Sequence, residues 1–147
     1  MDVPVGVPEQ PVEVNLSHDK EIKKSSETIM MQQKSLNSPD ETRAFDKGKL
    51  ELVTISGVTF GRATLNPGWK WSESVKPIVK TKSCEAPHTQ YIISGKLKIV
   101  MDNGLEAILG AGDAAVVPAG HDAWVIGNEP VVLIDVTGMV NYAKDKK

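Results

Sequence analysis

The sequence predicts an all-β sandwich or barrel behind an N-terminal extension, on three observations. Short β-branched and apolar runs recur beyond residue 44, and Gly, Pro, Asn or Asp separates nearly all of them. No helical period lies between those runs to build βαβ units. The composition also breaks at the same place: residues 1–43 hold no aromatic residue and a single glycine, Gly6, whereas all seven aromatics and the remaining glycines follow.

Taken in order, residues 1–43 form the extension. Val and Pro with interspersed Glu over residues 3–14 favour a solvated, extended chain. A short helix is expected within 18–36, with Ser17 as cap, Asp19 and Glu21 at its positive end, and Ile22, Ile29 and Leu36 spaced by seven beside Met30. So narrow a stripe stabilises little without a partner surface, so the extension is expected to be disordered or weakly helical, either a frayed tail or a docking arm. The body is expected over 44–140, with strands at 50–55, 58–65, 90–94, 96–101, 105–109, 114–117, 123–126 and 131–136. Asp102-Asn103-Gly104 is a hairpin signal, since Asn and Gly tolerate positive φ. Ser94-Gly95, Gly110-Ala111-Gly112-Asp113 and Pro118-Ala119-Gly120 mark further corners, and residues 141–147 read as a charged tail.

Several function classes are disfavoured by bulk properties. At 147 residues, a net charge of -2 and 24% charged residues, the chain suits one domain and lacks the basic excess that drives phosphate binding, so no nucleic-acid partner is expected. One cysteine, Cys84, rules out an internal disulfide framework and suits a reducing compartment. No apolar run approaches the roughly 18 residues of a membrane span, and the first ten residues lack a secretory pattern, so a cytoplasmic protein is expected. Neither a nucleophile elbow nor a glycine-rich phosphate loop opening a helix is present.

Two stretches resemble the small single-domain cupins: residues 90–97, and residues 112–120 with their pattern of Gly, five residues, Pro, one residue, Gly. The likeness covers roughly residues 50–136, and the Trp69-Lys70-Trp71-Ser72-Glu73 and His121-Asp122-Ala123-Trp124 segments are similar to those of a bacterial subgroup. The resemblance implies a cupin-like double-stranded β-helix, a jelly-roll barrel enclosing a pocket that often holds a divalent metal on histidines and a glutamate. By the family spacing, His88 stands in the glutamate position, Cys84 and Lys82 in histidine positions, and Ala123 in the last histidine position with His121 two residues earlier. The usual ligand set is absent. An ammonium is no ligand, which leaves Cys84, His88 and His121 as a reassembled trio that suits zinc, iron or nickel. The alternative is a small buried thiol with two histidines bonded to loops. Pro87 interrupts the segment between Cys84 and His88, so a shared facing does not follow from their even spacing.

A second constellation lies nearby. Strand alternation through residues 69–73 places Trp69, Trp71 and Glu73 on one face, and with Trp124 they describe an indole-walled pocket holding one carboxylate. Buried there, Glu73 would act as a general acid or base; the alternative packs the tryptophans between the sheets and leaves Glu73 at the surface. Tyr91 either lines the cavity or sits at its rim. Two functions follow: a barrel binding a small molecule without turnover, which the altered ligand set favours, or a metal-dependent oxygenase, isomerase or lyase acting on a small organic acid. An all-β body of this size has edges to protect, and a homodimer is expected.

Overall fold

The computed structural model describes residues 30–144. The chain divides into two units, Met1–Gln33 and Lys34–Lys147. In the first, the expected helix lies outside the described residues up to residue 29, and residues 30–33 are exposed without regular structure. Residues 34–36, the remainder of that expected helix, are not helical either.

The second unit is the expected all-β barrel, of the cupin-like jelly-roll type. Nine strands run in order: β1 Glu41–Phe45, β2 Gly48–Ile55, β3 Val58–Leu65, β4 His88–Ser94, β5 Lys96–Met101, β6 Glu106–Gly110, β7 Ala114–Val117, β8 His121–Ile126 and β9 Val131–Asp135. They form a six-stranded sheet, β1-β2-β3-β9-β4-β7, and a three-stranded sheet, β6-β5-β8. All pairings are antiparallel. The hairpin at Asp102-Asn103-Gly104 is present, closed by the Met101 amide on the Leu105 carbonyl at 2.8 Å.

Period-two alternation turns one face of each sheet inward. Leu50 and Leu52 from β2, Ala63 and Leu65 from β3, Ile92 from β4 and Leu133 from β9 meet Leu97 and Ile99 from β5 and Val125 from β8. Burying an aliphatic side chain of this size stabilises by about 1.5–3 kcal/mol, and these residues hold the two sheets face to face. Gly95, at φ 83, carries the chain from β4 to β5 against the Pro130 carbonyl, where a Cβ would collide with backbone.

Three segments depart from expectation. Strand β1 begins at Glu41, inside the segment assigned to the extension, because Thr42 and Arg43 pair with Glu51 and Leu50 and extend the sheet by one edge strand. Residues 69–73 are not a strand: Trp71–Ser74 is a single helical turn, α1, followed by α2 at Lys76–Val79. The Asp122 carboxylate accepts from the Ser72 amide at 3.1 Å and satisfies one free donor of that turn. Of the charged tail expected over 141–147, the described residues 141–144 turn back onto the body together with residues 139–140. Arg43 donates to the carbonyls of Met139, Val140 and Tyr142 at 3.2, 2.7 and 2.7 Å, and Tyr142 is buried. Among the described residues no helix is long and apolar enough to cross a membrane.

Candidate metal centre and adjoining cavity

The centre is assembled by strand parity from both sheets. On β4 the inward residues are His88, Gln90 and Ile92; on β8 they are His121, Ala123 and Val125. The two histidines therefore project toward one another across the barrel, with ring centroids 5.2 Å apart. Cys84 forms an isolated bridge with His121, its amide donating to the His121 carbonyl at 2.8 Å, which brings the thiol beside both rings despite Pro87. One ligand atom from each of Cys84, His88 and His121 lies within 4.8 Å of the others, and all three residues are buried.

Hydrogen bonds select the ring nitrogen that each histidine offers. His121 Nδ1–H donates to the Pro118 carbonyl at 2.8 Å; a carbonyl only accepts, so the hydrogen is on Nδ1 and the lone pair on Nε2. His88 Nδ1–H donates to Asp135 Oδ2 at 2.5 Å, leaving His88 Nε2 toward Cys84 Sγ at 3.8 Å. Asp135 is fully buried, and its other oxygen accepts from the amides of Thr137 and Thr89 and from the Thr137 hydroxyl. A buried carboxylate is tolerable when so many donors surround it. An acid bonded to the far nitrogen of a ligand histidine is the outer-shell arrangement that orients such rings.

Burial governs the titration of the trio. It pushes the Cys84 thiol up to about 11, and Asp122, Asp135 and Glu85 push the same way. It holds His121 below the usual 6.5, against the opposing bond to Pro118, so that ring is neutral near pH 7. Tyr142, whose ring packs edge-on to His88 at 5.8 Å, is held well above the usual 10.0 by the same cause.

By donor chemistry the trio fits a divalent ion: two imidazole lone pairs and one sulfur, close enough to be shared. The 3.8 Å separation of Cys84 Sγ and His88 Nε2 is near the about 3.6 Å that tetrahedral bonds of ordinary length place between sulfur and nitrogen donors. Beside the centre opens a cavity of about 690 Å³, lined by Cys84, Trp71, Val75, Val79, Val140 and Tyr142 among others. Three protein donors would leave a divalent ion held there a further position for water.

The indole pocket is only partly assembled. Trp69 and Trp71 are both buried, and Trp71 lines the cavity, but neither Nε1 finds a hydrogen-bond partner among the described residues. An unpaired buried donor costs about 1–3 kcal/mol. Glu73 does not join them. In a helical turn the residues three and four beyond Trp71, Ser74 and Val75, share its buried face, whereas Glu73 falls on the exposed side and is no general acid or base for this cavity. Trp124 faces outward on β8, beneath Lys70 and Lys98 at 4.9 and 5.7 Å from its ring. Tyr91 alternates with His88 and Gln90 on β4 and is 49% exposed on the outer face. Sequence reasoning missed Asp135, Tyr142 and Arg43. Asp135 alone carried a signal, as an acid in phase with Val131 and Leu133 on an otherwise apolar strand.

The comparisons with known proteins bear on the fold. No family model matches the chain, and no curated protein matches it. Among solved structures, the polyketide cyclase RemF from Streptomyces resistomycificus is similar at TM-score 0.52 and 15% identity, over 74% of this chain and 79% of that one. A protein of unknown function from Acinetobacter sp. ADP1 is similar at TM-score 0.50 and 12% identity, over 67% of this chain and 90% of that one. A cupin-like protein from Thermotoga maritima aligns at TM-score 0.46 and 16% identity, over 66% and 73%. At these identities the likeness to the first two shows the fold alone.

Proposed function

We propose that this chain is a metal-binding cupin that takes up a small molecule in the cavity beside the ion, with Cys84, His88 and His121 as ligands to zinc, iron or nickel. The observation that carries the reading is the convergence of the trio with both Nδ1 hydrogens committed, so that each ring offers its Nε2 lone pair, that of His88 toward Cys84 Sγ. A metal held there supplies a Lewis acid that polarises a bound oxygen. Asp135 holds the His88 ring in place, Pro118 does the same for His121, and Val75 and Val79 give the cavity an apolar side facing its polar lining residues Thr81, Glu85, Asn141 and Lys144. With Glu73 exposed, no carboxylate of the tryptophan segment serves proton transfer at the centre, which supports binding over turnover.

Elemental analysis of protein purified without chelator, followed by calorimetric titration with zinc, nickel and ferrous ions, tests the reading. About one equivalent of a transition metal per chain is expected, and it is lost in His121→Ala. Stoichiometric metal that survives both His121→Ala and Cys84→Ser would place the ion elsewhere, and absence of saturable binding by any of the three ions would end the proposal.

A further inference from the structure

The geometry points to the β7 edge as the seat of a homodimer, in which Ala114 and Val116 pair with Val116 and Ala114 of a second copy and an adjoining apolar groove is covered. The two sheets present four edges among the described residues. Strand β1 bears Glu41 and Arg43, and charge on an edge deters pairing. Strand β8 is bridged by Lys70 at Trp124 and by Cys84 at His121. The other two edges, β7 and β6, line one groove of about 170 Å³ together with Ile99 and Met101 of β5. Val116 and Leu105, both on its lining, are 75% and 67% exposed.

The ladder shows which backbone groups of β7 are free. The Ile92 amide donates to the Asp113 carbonyl at 2.9 Å, and the same register sets Gln90 opposite Ala115 and His88 opposite Val117. Bonded and non-bonded pairs alternate between antiparallel strands, so Ala115 and Val117 bond to β4 while the N–H and C=O of Ala114 and Val116 point away from it. Strand β7 pairs with no other strand, which leaves two donors and two acceptors open. A twofold axis at Ala115 sets Ala114 opposite Val116 of the second copy and Val116 opposite its Ala114. Every open group on both copies is then used, in four hydrogen bonds.

The surroundings of the edge also match a second copy. The axis stands perpendicular to the joined sheet, so both three-stranded sheets lie on one side of it and the two grooves adjoin. Ala115 packs inward on the core and meets only another alanine across the axis. The β7 sequence, Ala-Ala-Val-Val, brings no charge into the contact. Glu106, the one charged residue lining the groove, is paired with Lys98 at 3.0 Å, and a net charge of -2 leaves two copies weakly repelled. Four hydrogen bonds flanked by apolar lips make a small interface, so the dimer is a reversible one.

Sedimentation equilibrium of the full chain from micromolar to millimolar concentration tests the interface. A concentration-dependent dimer is expected, and Val116→Lys, which places a charge on the edge, weakens it by about 10-fold or more. Amide hydrogen exchange in the unaltered protein locates the contact: the Ala114 and Val116 amides become protected as the dimer forms, and the β1 edge does not. A chain that stays monomeric at millimolar concentration overturns the inference, as does a dimer that Val116→Lys leaves intact. Exchange at Ala114 and Val116 that is independent of concentration overturns it too; if both amides are already protected in the monomer, something other than a second copy occupies the edge. Should Val116→Lys fail to fold, the exchange measurement decides alone.

Discussion

His88 and Asp135 are joined at 2.5 Å, Nδ1 to Oδ2, inside the barrel, and that contact decides which nitrogen of His88 faces Cys84. Replacing the acid by its amide, Asp135→Asn, keeps the shape and removes the charge that holds the ring. Metal affinity is expected to fall by about 10- to 100-fold, measured by chelator competition. An unchanged affinity would mean that Asp135 serves the fold alone.

Metal uptake is expected to depend on pH through one thiol. With Cys84 pushed up to about 11 and His121 neutral, an ion entering near pH 7 displaces the Cys84 proton. Apparent affinity then rises about tenfold per pH unit through the neutral range, one proton being released per ion. Calorimetry in buffers of different ionisation enthalpy counts that proton, and a count of zero excludes Cys84 as a thiolate ligand.

The same two groups shape the stability of the metal-free protein against pH, with Tyr142 adding to the alkaline side. Below the usual 6.5 the unfolded chain protonates His121 while the folded one resists, so stability falls as the solution is acidified through that value. Above the usual 9.0 the unfolded chain ionises Cys84 before the folded one does, so stability falls again as the pH rises toward about 11. Denaturant midpoints from pH 5 to 10.5 are expected to peak between, and His121→Gln should flatten the acid limb.

Arg43 secures the cavity wall from the far edge of the six-stranded sheet. Arg43→Met removes three donors from the carbonyls of residues 139–142 and is expected to cost about 2–4 kcal/mol, less than the sum of separate charged hydrogen bonds because they share one side chain. Hydrogen exchange should rise at residues 139–144 and stay unchanged in β5. Uniform acceleration would show that Arg43 supports the barrel as a whole.

Gly138 lets the chain turn from β9 onto that wall. At φ 46, a Cβ here would meet the Pro87 carbonyl, so Gly138→Ala forces apart the segments bearing Tyr142 and His88. A loss of about 2 kcal/mol or more in denaturant stability is expected, with weaker metal binding in parallel. A variant of unchanged stability would show that the two segments part freely.

The sequence made the strands legible where alternation and turn chemistry agreed. The expected run 58–65 is β3, 96–101 is β5 and 114–117 is β7. It failed at residues 69–73, where alternating Trp and polar residues satisfy a strand and a helical turn alike; the carboxylate of Asp122, fifty positions away in the chain, caps the turn. Parity could have separated Tyr91 from the site earlier, since Tyr91 and His88 lie an odd number of positions apart on one strand and face opposite sides.

The chain's own order of residues determined an all-β body, its corners and the three side chains that gather at the centre, because periodicity and turn preference act over a few neighbours. Only the tertiary structure decided that Cys84 reaches two histidines across a proline, that Asp135 orients one of them, and that residues 139–144 form a wall. Those contacts join positions from different strands and both sheets, and long-range pairing of that kind leaves no local pattern to read.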